Sequence, residues 1–407
     1  MKFLPLIFGS GTDAYSIARA FNEEYGLIPK MYGTVDGGPC FFSSILDYKL
    51  ERNADESSRF LELVKDYAEA NTDAKILLVG SNDEFSRLIS KNRDSLPENV
   101  VAASWDFEKL ESITYKTTFY EALDEHGIDY PQTYIYNSDI GLDYDIPFNP
   151  PYIIKPADSV EYTKHQFWGR AKVNKIRNTK DMEIQFGKIF AAGYDKDFII
   201  QEYIPGDDTH ITSCTFYSDK NGKVKLTSTA HVLLEEHLPK TIGDPALLIT
   251  KPNPELEAKL ENFLESVGYT GFGTFDLKYD ERDGKLKVLD FNAAPGIANY
   301  SLTAAGVNVA KLLATDIVEE KPLEKTVVKK ELVWLIVPKD VPKIYITQED
   351  LRDRALRLLK EGAFVNPLLN PADKDIRRKV GVMREIVAQN KAFSTNYSVK
   401  NRKQFYK

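Results

Sequence analysis

Residues 272–301 read FGTFDLKYDERDGKLKVLDFNAAPGIANYS, and this stretch decides the fold. Two strand-like runs, Phe272 to Tyr279 and Lys285 to Asn292, flank Asp280-Glu281-Arg282-Asp283-Gly284, a strong turn signal. A hairpin centred near Asp283 sets Asp276 opposite Asp290 and Thr274 opposite Asn292. Side chains alternate across a strand, so these four share one face. Directly opposed residues hold their Cβ atoms about 4.5–5.5 Å apart, where like charges repel. Two carboxylates and an amide oxygen held this way call for a hard cation. Oxygen ligands in that number suit Mg²⁺ shared with phosphate. The plainer reading, solvated acids at a hairpin end, accounts for one carboxylate better than for this foursome followed at once by Pro295-Gly296.

Outward from the hairpin, the chain of 407 residues is long enough for two or three domains. Its 43% apolar and 28% charged content is that of a globular protein. A net charge of −8 argues against general nucleic-acid binding. Two cysteines far apart, Cys40 and Cys214, exclude a disulfide framework and fit a reduced cytoplasm. The opening Met1 to Phe8 has too short an apolar run for a signal peptide and reads as a buried strand. No run approaches the ~20 apolar residues of a membrane span.

Residues 1 to 114 alternate strand and helix. Phe3 to Phe8 is a strand, Gly9-Ser10-Gly11 a turn, and Asp13 to Tyr25 a helix closed by Gly26. Lys75 to Val79 repeats the pattern before Gly80-Ser81-Asn82-Asp83, which implies a parallel sheet with crossover helices. Gly9 to Ala14 fits G-x-G-x-x-A, but the acid expected after a second strand is misplaced at Asp36. A backbone turn approaching some anionic ligand fits better than a nicotinamide or flavin site.

From 115 the texture becomes α+β. Tyr115 to Glu125 reads as a helix, and Pro151 to Pro156 as a strand containing Lys155. Asp158 to Arg170 reads as a polar loop too irregular for a helix. Thr179 caps a helix reaching Gly193, and Phe198 to Ile204 is a strand before the turn Pro205-Gly206-Asp207-Asp208. Glu255 to Val267 is an amphipathic helix stopped by Gly268. Residues 319 to 330 read as a linker or edge segment. A tail follows with a strand, Leu332 to Val337, and a helix capped by Thr347. Pro371 to Lys407 carries ten Lys/Arg against three Asp/Glu, a solvated basic helix or a docking face for a polyanionic substrate.

A metal pair needs a phosphate to hold. Lys155, at the end of an apolar run, and Lys116, at a positive helix start, are placed as point charges for one. A strand passing into an irregular segment at Gln201 to Asp208 offers backbone groups to a nucleotide base. The order Lys116, Lys155, Gln201-Glu202-Tyr203-Ile204-Pro205-Gly206-Asp207-Asp208, Asp276, Asp290-Phe291-Asn292 and Pro295-Gly296 resembles that of the ATP-grasp ligases. Ala14 to Phe21, Leu233 to His237, Asn299 to Gly306 and Trp334 to Pro338 extend the resemblance to the D-aspartate ligase group of carboxylate–amine ligases.

The resemblance implies a Rossmann-like domain at 1–114, a two-lobed ATP-grasp domain at 115–320 (lobes about 115–200 and 201–320), and a C-terminal α/β extension at 321–407. It implies that Lys116 and Lys155 hold ATP phosphates. Glu202 and Ile204 present backbone to adenine, with Gln201 near its amine, and Asp208 takes the ribose. Asp276, Asp290 and Asn292 hold two Mg²⁺. The loop carrying Arg170 and Lys172 closes over the triphosphate, Lys155, Arg170 and Lys172 act on the reacting groups, and Tyr300 and Ser301 touch substrate. Lys164, His165 and the Gly9 to Asp13 turn are further candidates for holding a dicarboxylate. Departures are the shorter Asp290 where many relatives have Glu, Ala293-Ala294 where the group often has Pro-Arg, and Thr274 where some ligases place arginine.

The implied reaction activates a carboxylate as an acyl phosphate, which an amine then captures, joining D-aspartate to a lysine side chain of a peptidoglycan precursor. Another amino-acid ligase, or a nucleotide-binding protein with little turnover, is the alternative. Partners on this reading are an amino acid, an amine acceptor linked to a nucleotide, and a second copy in a homodimer, with no nucleic acid. The histidines at 126, 165, 210, 231 and 237 show no metal-ligand spacing.

Overall fold

The computed structural model describes residues 2–136, 146–171, 173–236, 241 and 243–397. Within the first 102 residues lies a five-stranded sheet, ordered Asp47–Leu50, Lys30–Gly33, Phe3–Phe8, Lys75–Gly80, Val100–Ala102. Every pairing in it is parallel. Its central strands are continuous apolar runs because helices cover both faces, and Leu6, Ile7 and Phe8 have no exposed surface. The alternation of strand and helix thus formed the sheet it implied. Helix Thr12–Tyr25 follows the first strand and ends at Gly26 in the left-handed conformation, φ 64°.

The strand order reverses between Phe3–Phe8 and Lys75–Gly80: the first leads to one side of the sheet, the second to the other. Loops leaving the carboxyl ends of such strands part and open a crevice. Gly9 and Ser81 meet there. A Cβ on Gly9, whose φ is +149°, would lie 2.1 Å from Ser81 Oγ, so this turn admits glycine alone.

A four-stranded antiparallel sheet comprises Thr133–Tyr136, Phe198–Glu202, Tyr152–Pro156 and Asn174–Ile176. The eight-stranded sheet runs Lys285–Asn292, Gly271–Asp280, Ile211–Ser218, Val224–Glu235, Pro245–Thr250, Val333–Leu335, Phe364–Val365, with Thr326–Val327 beside Val224–Glu235. It therefore continues past residue 320 into the tail. Phe275, Leu277, Val288 and Phe291 of the hairpin bury one face against helices Lys116–Glu125 and Pro254–Val267.

Three local expectations change. Ser159–Lys164 is a short helix within the stretch read as irregular, because Asp158 caps it by accepting from Glu161 N at 2.9 Å. Asn178, not Thr179, caps the helix Thr179–Ala191. Thr347 does not cap Glu349–Glu361; its hydroxyl donates to Asp207 at 2.7 Å instead. Of the two readings of residues 319–330, the edge segment holds, since it supplies the strand Thr326–Val327.

The tail is fastened to the first sheet's helix. Arg19 donates to the Pro367 carbonyl at 2.8 Å. Buried Asp373 accepts from Tyr15 and from Ser43 and Ser44, and pairs with Arg378 at 3.0 Å. One apolar core consequently joins Ile7, Tyr15 and Leu77 to Phe272, Leu313, Leu368 and Val382. Among the described residues no helix is long and apolar enough to cross a membrane.

Candidate active site

The hairpin has the register read from its sequence: Thr274 pairs with Asn292 and Asp276 with Asp290. It reaches that register by a different route. Asp280 pairs with Lys285 and Leu277 with Val288, so the turn is centred between residues 282 and 283. A β-bulge then shifts the pairing by one, leaving Leu289 as the extra residue. Continued without the bulge, the ladder would oppose Asp276 with Leu289. The bulge also turns the Leu289 carbonyl outward, where it accepts from Tyr120 Oη at 2.7 Å and Lys155 Nζ at 3.1 Å.

Lys116 reaches the same place from the start of its helix, its Nζ lying 2.8 and 2.9 Å from the two oxygens of Asp290. Asn292 Nδ2 donates to Asp276 at 3.0 Å, and Ser213 Oγ donates to the other oxygen of Asp276 at 3.1 Å. The structure thus brings together Lys116, Lys155, Asp276, Asp290 and Asn292, distant in sequence. The Lys116 ammonium rests on Asp290 and that of Lys155 on the Leu289 carbonyl, and the carboxylates of Asp276 and Asp290 with the Asn292 amide supply hard oxygens, a set that fits Mg²⁺. Among the described residues no three His, Cys, Asp or Glu side chains gather as a metal cage. An ion here must share its ligands with something else, as Mg²⁺ does with phosphates.

Gln201 is buried, and its amide donates to Thr133 Oγ1 at 2.9 Å. The Tyr120 phenol beside it is pushed well above its ordinary pKa by burial and then by the charge of Asp290. Glu202 N donates to the Gln132 carbonyl. The Glu202 side chain accepts from Arg282 at 2.8 Å and Lys287 at 3.2 Å, and Lys287 also meets Asp280 at 2.8 Å. This ion cluster joins strand Phe198–Glu202 to the hairpin and went unseen in the sequence. Ile204 is buried just beyond. Asp208 accepts from Glu235 N at 2.9 Å and from the Tyr397 hydroxyl.

Lys278, two residues along the cleft face from Asp276, donates to the Gly206 carbonyl at 3.1 Å. Lys175 lies 3.6 Å over the Tyr203 ring and is pushed down to about 8, by burial first and then by Lys278. Glu235 is held up, chiefly by burial and then by Asp208. Lys278 and Glu235 were missed, although strand alternation from Asp276 pointed to the lysine.

Between the sheets lies a cavity of about 360 Å³, lined by the Gly11 to Asp13 and Ser81 to Asp83 turns and by Asp244, Asp276 and Asn292. The expected turn is therefore at the site, but it brings an acid. Half-buried Asp13 accepts from Ser81 Oγ at 2.7 Å, and its pKa is raised, mainly by desolvation. Among the described residues the lining carries aspartates and no lysine or arginine. A smaller cleft of about 90 Å³ adjoins Lys116, Asp290 and Asn292. Arg87, which the sequence reading overlooked, lines it, pairing with Asp158 at 3.2 Å and with Glu111.

Other candidates are turned elsewhere. Arg170 donates to the Thr163 carbonyl at 2.6 Å and so closes the end of helix Ser159–Lys164. Lys164 pairs with Glu161 at 2.8 Å, and His165 Nδ1 meets the Ala192 carbonyl at 3.0 Å. Lys172 lies outside the described residues, as does His237. Tyr300 faces helix Thr12–Tyr25: its hydroxyl donates to Glu23 at 2.7 Å and Arg19 lies 4.1 Å over its ring. Ser301 is buried beside it, and neither residue lines the two cavities. Tyr300 thus packs against that helix.

No family model matches the sequence. Among curated proteins the chain is similar to D-aspartate ligase of Enterococcus faecium, 31% identical over 389 residues that span 93% of this chain and 92% of the relative. Among solved structures it is similar in fold to N5-carboxyaminoimidazole synthetase from Staphylococcus aureus, at TM-score 0.57 and 15% identity over 82% of each chain. It is also similar to the biotin carboxylase domain of 2-oxoglutarate carboxylase from Hydrogenobacter thermophilus, solved with MgADP, at TM-score 0.58 and 14% identity over 82% of this chain and 74% of that one. L-amino acid ligase from Bacillus licheniformis matches at TM-score 0.50 and 14% identity, over 77% and 70%.

Proposed function

Because the chain belongs to the D-aspartate ligase family of ATP-grasp carboxylate–amine ligases, we propose that it joins D-aspartate to the side-chain amine of a lysine in a peptidoglycan precursor peptide. The observation that carries this reading is the convergence of Lys116 and Lys155 on residues 289–290, opposite Asp276 and next to an acidic cavity.

ATP lies between the antiparallel sheet and the hairpin on this reading. Glu202 and Ile204 offer backbone to its base, with Gln201 and Asp208 alongside, and Lys116 and Lys155 take the phosphates as point charges. Lys116 would leave Asp290 for a phosphate oxygen as ATP binds. Asp276, Asp290 and Asn292 would hold two Mg²⁺, whose chemistry is to neutralise charge on the β- and γ-phosphate oxygens.

A carboxylate oxygen of D-aspartate attacks the γ-phosphorus, breaking its bond to ADP. The amine, having lost a proton, attacks the acyl carbon and expels phosphate. The chain contributes mainly placement and charge. Its acidic cavity favours the ammonium groups of amino acid and acceptor over their carboxylates. Arg87, which lines the same cleft as Ala293, is a guanidinium available for the position that Thr274 and Ala293-Ala294 leave without an arginine.

Phosphate release, measured across a panel of D- and L-amino acids with a lysine peptide as acceptor, tests the substrate. D-Aspartate should give the strongest signal. A response to an L-amino acid with none to D-aspartate would overturn the assignment. A second reading, nucleotide binding with little turnover, is favoured by the absence of lysine and arginine from the described lining of the larger cavity. It predicts ATP binding with no ADP formed from any acid–amine pair.

A further inference from the structure

We propose that the outward face of the C-terminal helix, Ile376–Asn396, is a docking surface for an anionic membrane. The helix is apolar on two opposite sides. Inward, Arg378, Val382 and Phe393 are buried against the body of the protein. Outward, Ile376, Val380, Met383 and Val387 remain 75%, 46%, 55% and 65% exposed. Their spacing of four, three and four residues places all of them within an arc of about 60°, because successive residues turn by about 100°. Along the axis they span about 16 Å. A solvated helix face carries scattered apolar residues; a continuous stripe marks something that covers it.

The flanks say what covers it. On the same helical projection Lys379 borders the stripe on one side and Arg384 and Lys391 on the other, and all three are exposed. Glu385, the one acid of this helix, sits on the inward side, where burial and nearby Glu236 raise its pKa. Arg377, at the start of the helix, lies 4.3 Å over the ring of Phe42, itself 46% exposed. Lys379, Arg384 and Lys391 therefore border the stripe, with Arg377, which also pairs with Asp375 at 2.7 Å, at its start, in a chain whose net charge is −8. An apolar stripe bordered by lysine and arginine is the pattern that lies in an anionic lipid surface, apolar side down and cations among the headgroups. A second copy of the chain would set Lys379, Arg384 and Lys391 against their own equivalents, which disfavours self-association.

The full chain should sediment with vesicles of phosphatidylglycerol and phosphatidylcholine at low salt, and stay in solution with phosphatidylcholine alone. High salt should release it, since exposed charges are screened. Val380→Asp with Val387→Asp, and separately Lys379→Glu with Arg384→Glu and Lys391→Glu, should each lower the bound fraction about tenfold at unchanged melting temperature. Wild-type chain that ignores phosphatidylglycerol vesicles would overturn the proposal, as would an apolar-stripe variant that binds like wild type. So would a dimer in gel filtration that those variants convert to monomer, because the stripe would then be an interface between copies.

Discussion

At the scale of single residues, Asp290 carries the sharpest expectation. It opposes Asp276 and holds Lys116, so on the proposed reading Asp290→Ala should remove both an oxygen ligand for Mg²⁺ and the anchor of a lysine meant for phosphate. A loss of about 3 kcal/mol of transition-state stabilisation, more than about a hundredfold in ADP formation, is expected in a coupled assay. Tyr300→Phe makes the opposite case. Its hydroxyl serves Glu23, not the cleft, so kcat and KM should hold while stability falls by about 1–2 kcal/mol in urea melts. Glu235 adds a pH signature. A carboxyl held up in the folded chain binds its proton more tightly there than when unfolded. Its contribution to stability therefore declines as pH rises above about 4.5, and is lost by about 8. Glu235→Gln should flatten that decline in thermal melts across the window. Asp276, Asp290, Lys116 and Lys155 were legible in the sequence because each is a charge set within or beside an apolar run, on a face that strand alternation or a helix start singles out. Arg87 was not, since only the approach of two distant elements brings it to the cleft.

At the scale of elements, the hairpin shows what periodicity reveals and what it hides. Alternation from Thr274 to Asp276 and from Asp290 to Asn292 identified one oxygen-bearing face. Nothing in the composition of Lys285 to Asn292 announced the bulge at Leu289, whose carbonyl gathers Tyr120 and Lys155. Bulges follow from how a strand meets its neighbours, so a single strand's sequence carries little trace of them. The short helix Ser159–Lys164 escaped for a related reason: its stability rests on the Asp158 cap and on Tyr162 packed in the core, more than on intrinsic propensity. The cluster of Lys287, Glu202 and Asp280 ties the hairpin to strand Phe198–Glu202. Lys287→Met leaves two buried carboxylates with Arg282 as their remaining cation, and should cost about 3 kcal/mol or more by urea titration.

At the scale of the whole molecule, the parallel sheet places two βα turns against the carboxylate hairpin, and the acidic cavity between them is where acid and amine would meet. The tail completes this body, because Arg19, Asp373 and Arg378 bind it to the first sheet's helix. Arg378→Met leaves the buried carboxylate of Asp373 with hydroxyls and the Ser44 amide but no cation, and should lower stability by about 3 kcal/mol in the same titration. Contacts between residues more than 300 apart in sequence, such as Tyr15 with Asp373, are invisible to local patterning. The central claim is that a carboxylate of the amino acid is activated as an acyl phosphate. Its most direct test is turnover of D-aspartate carrying heavy oxygen in its carboxylates, with a lysine peptide and Mg·ATP, followed by mass analysis of the released phosphate. Transfer of one labelled oxygen per phosphate released is the predicted result; unlabelled phosphate, or AMP and pyrophosphate in place of ADP, would contradict it.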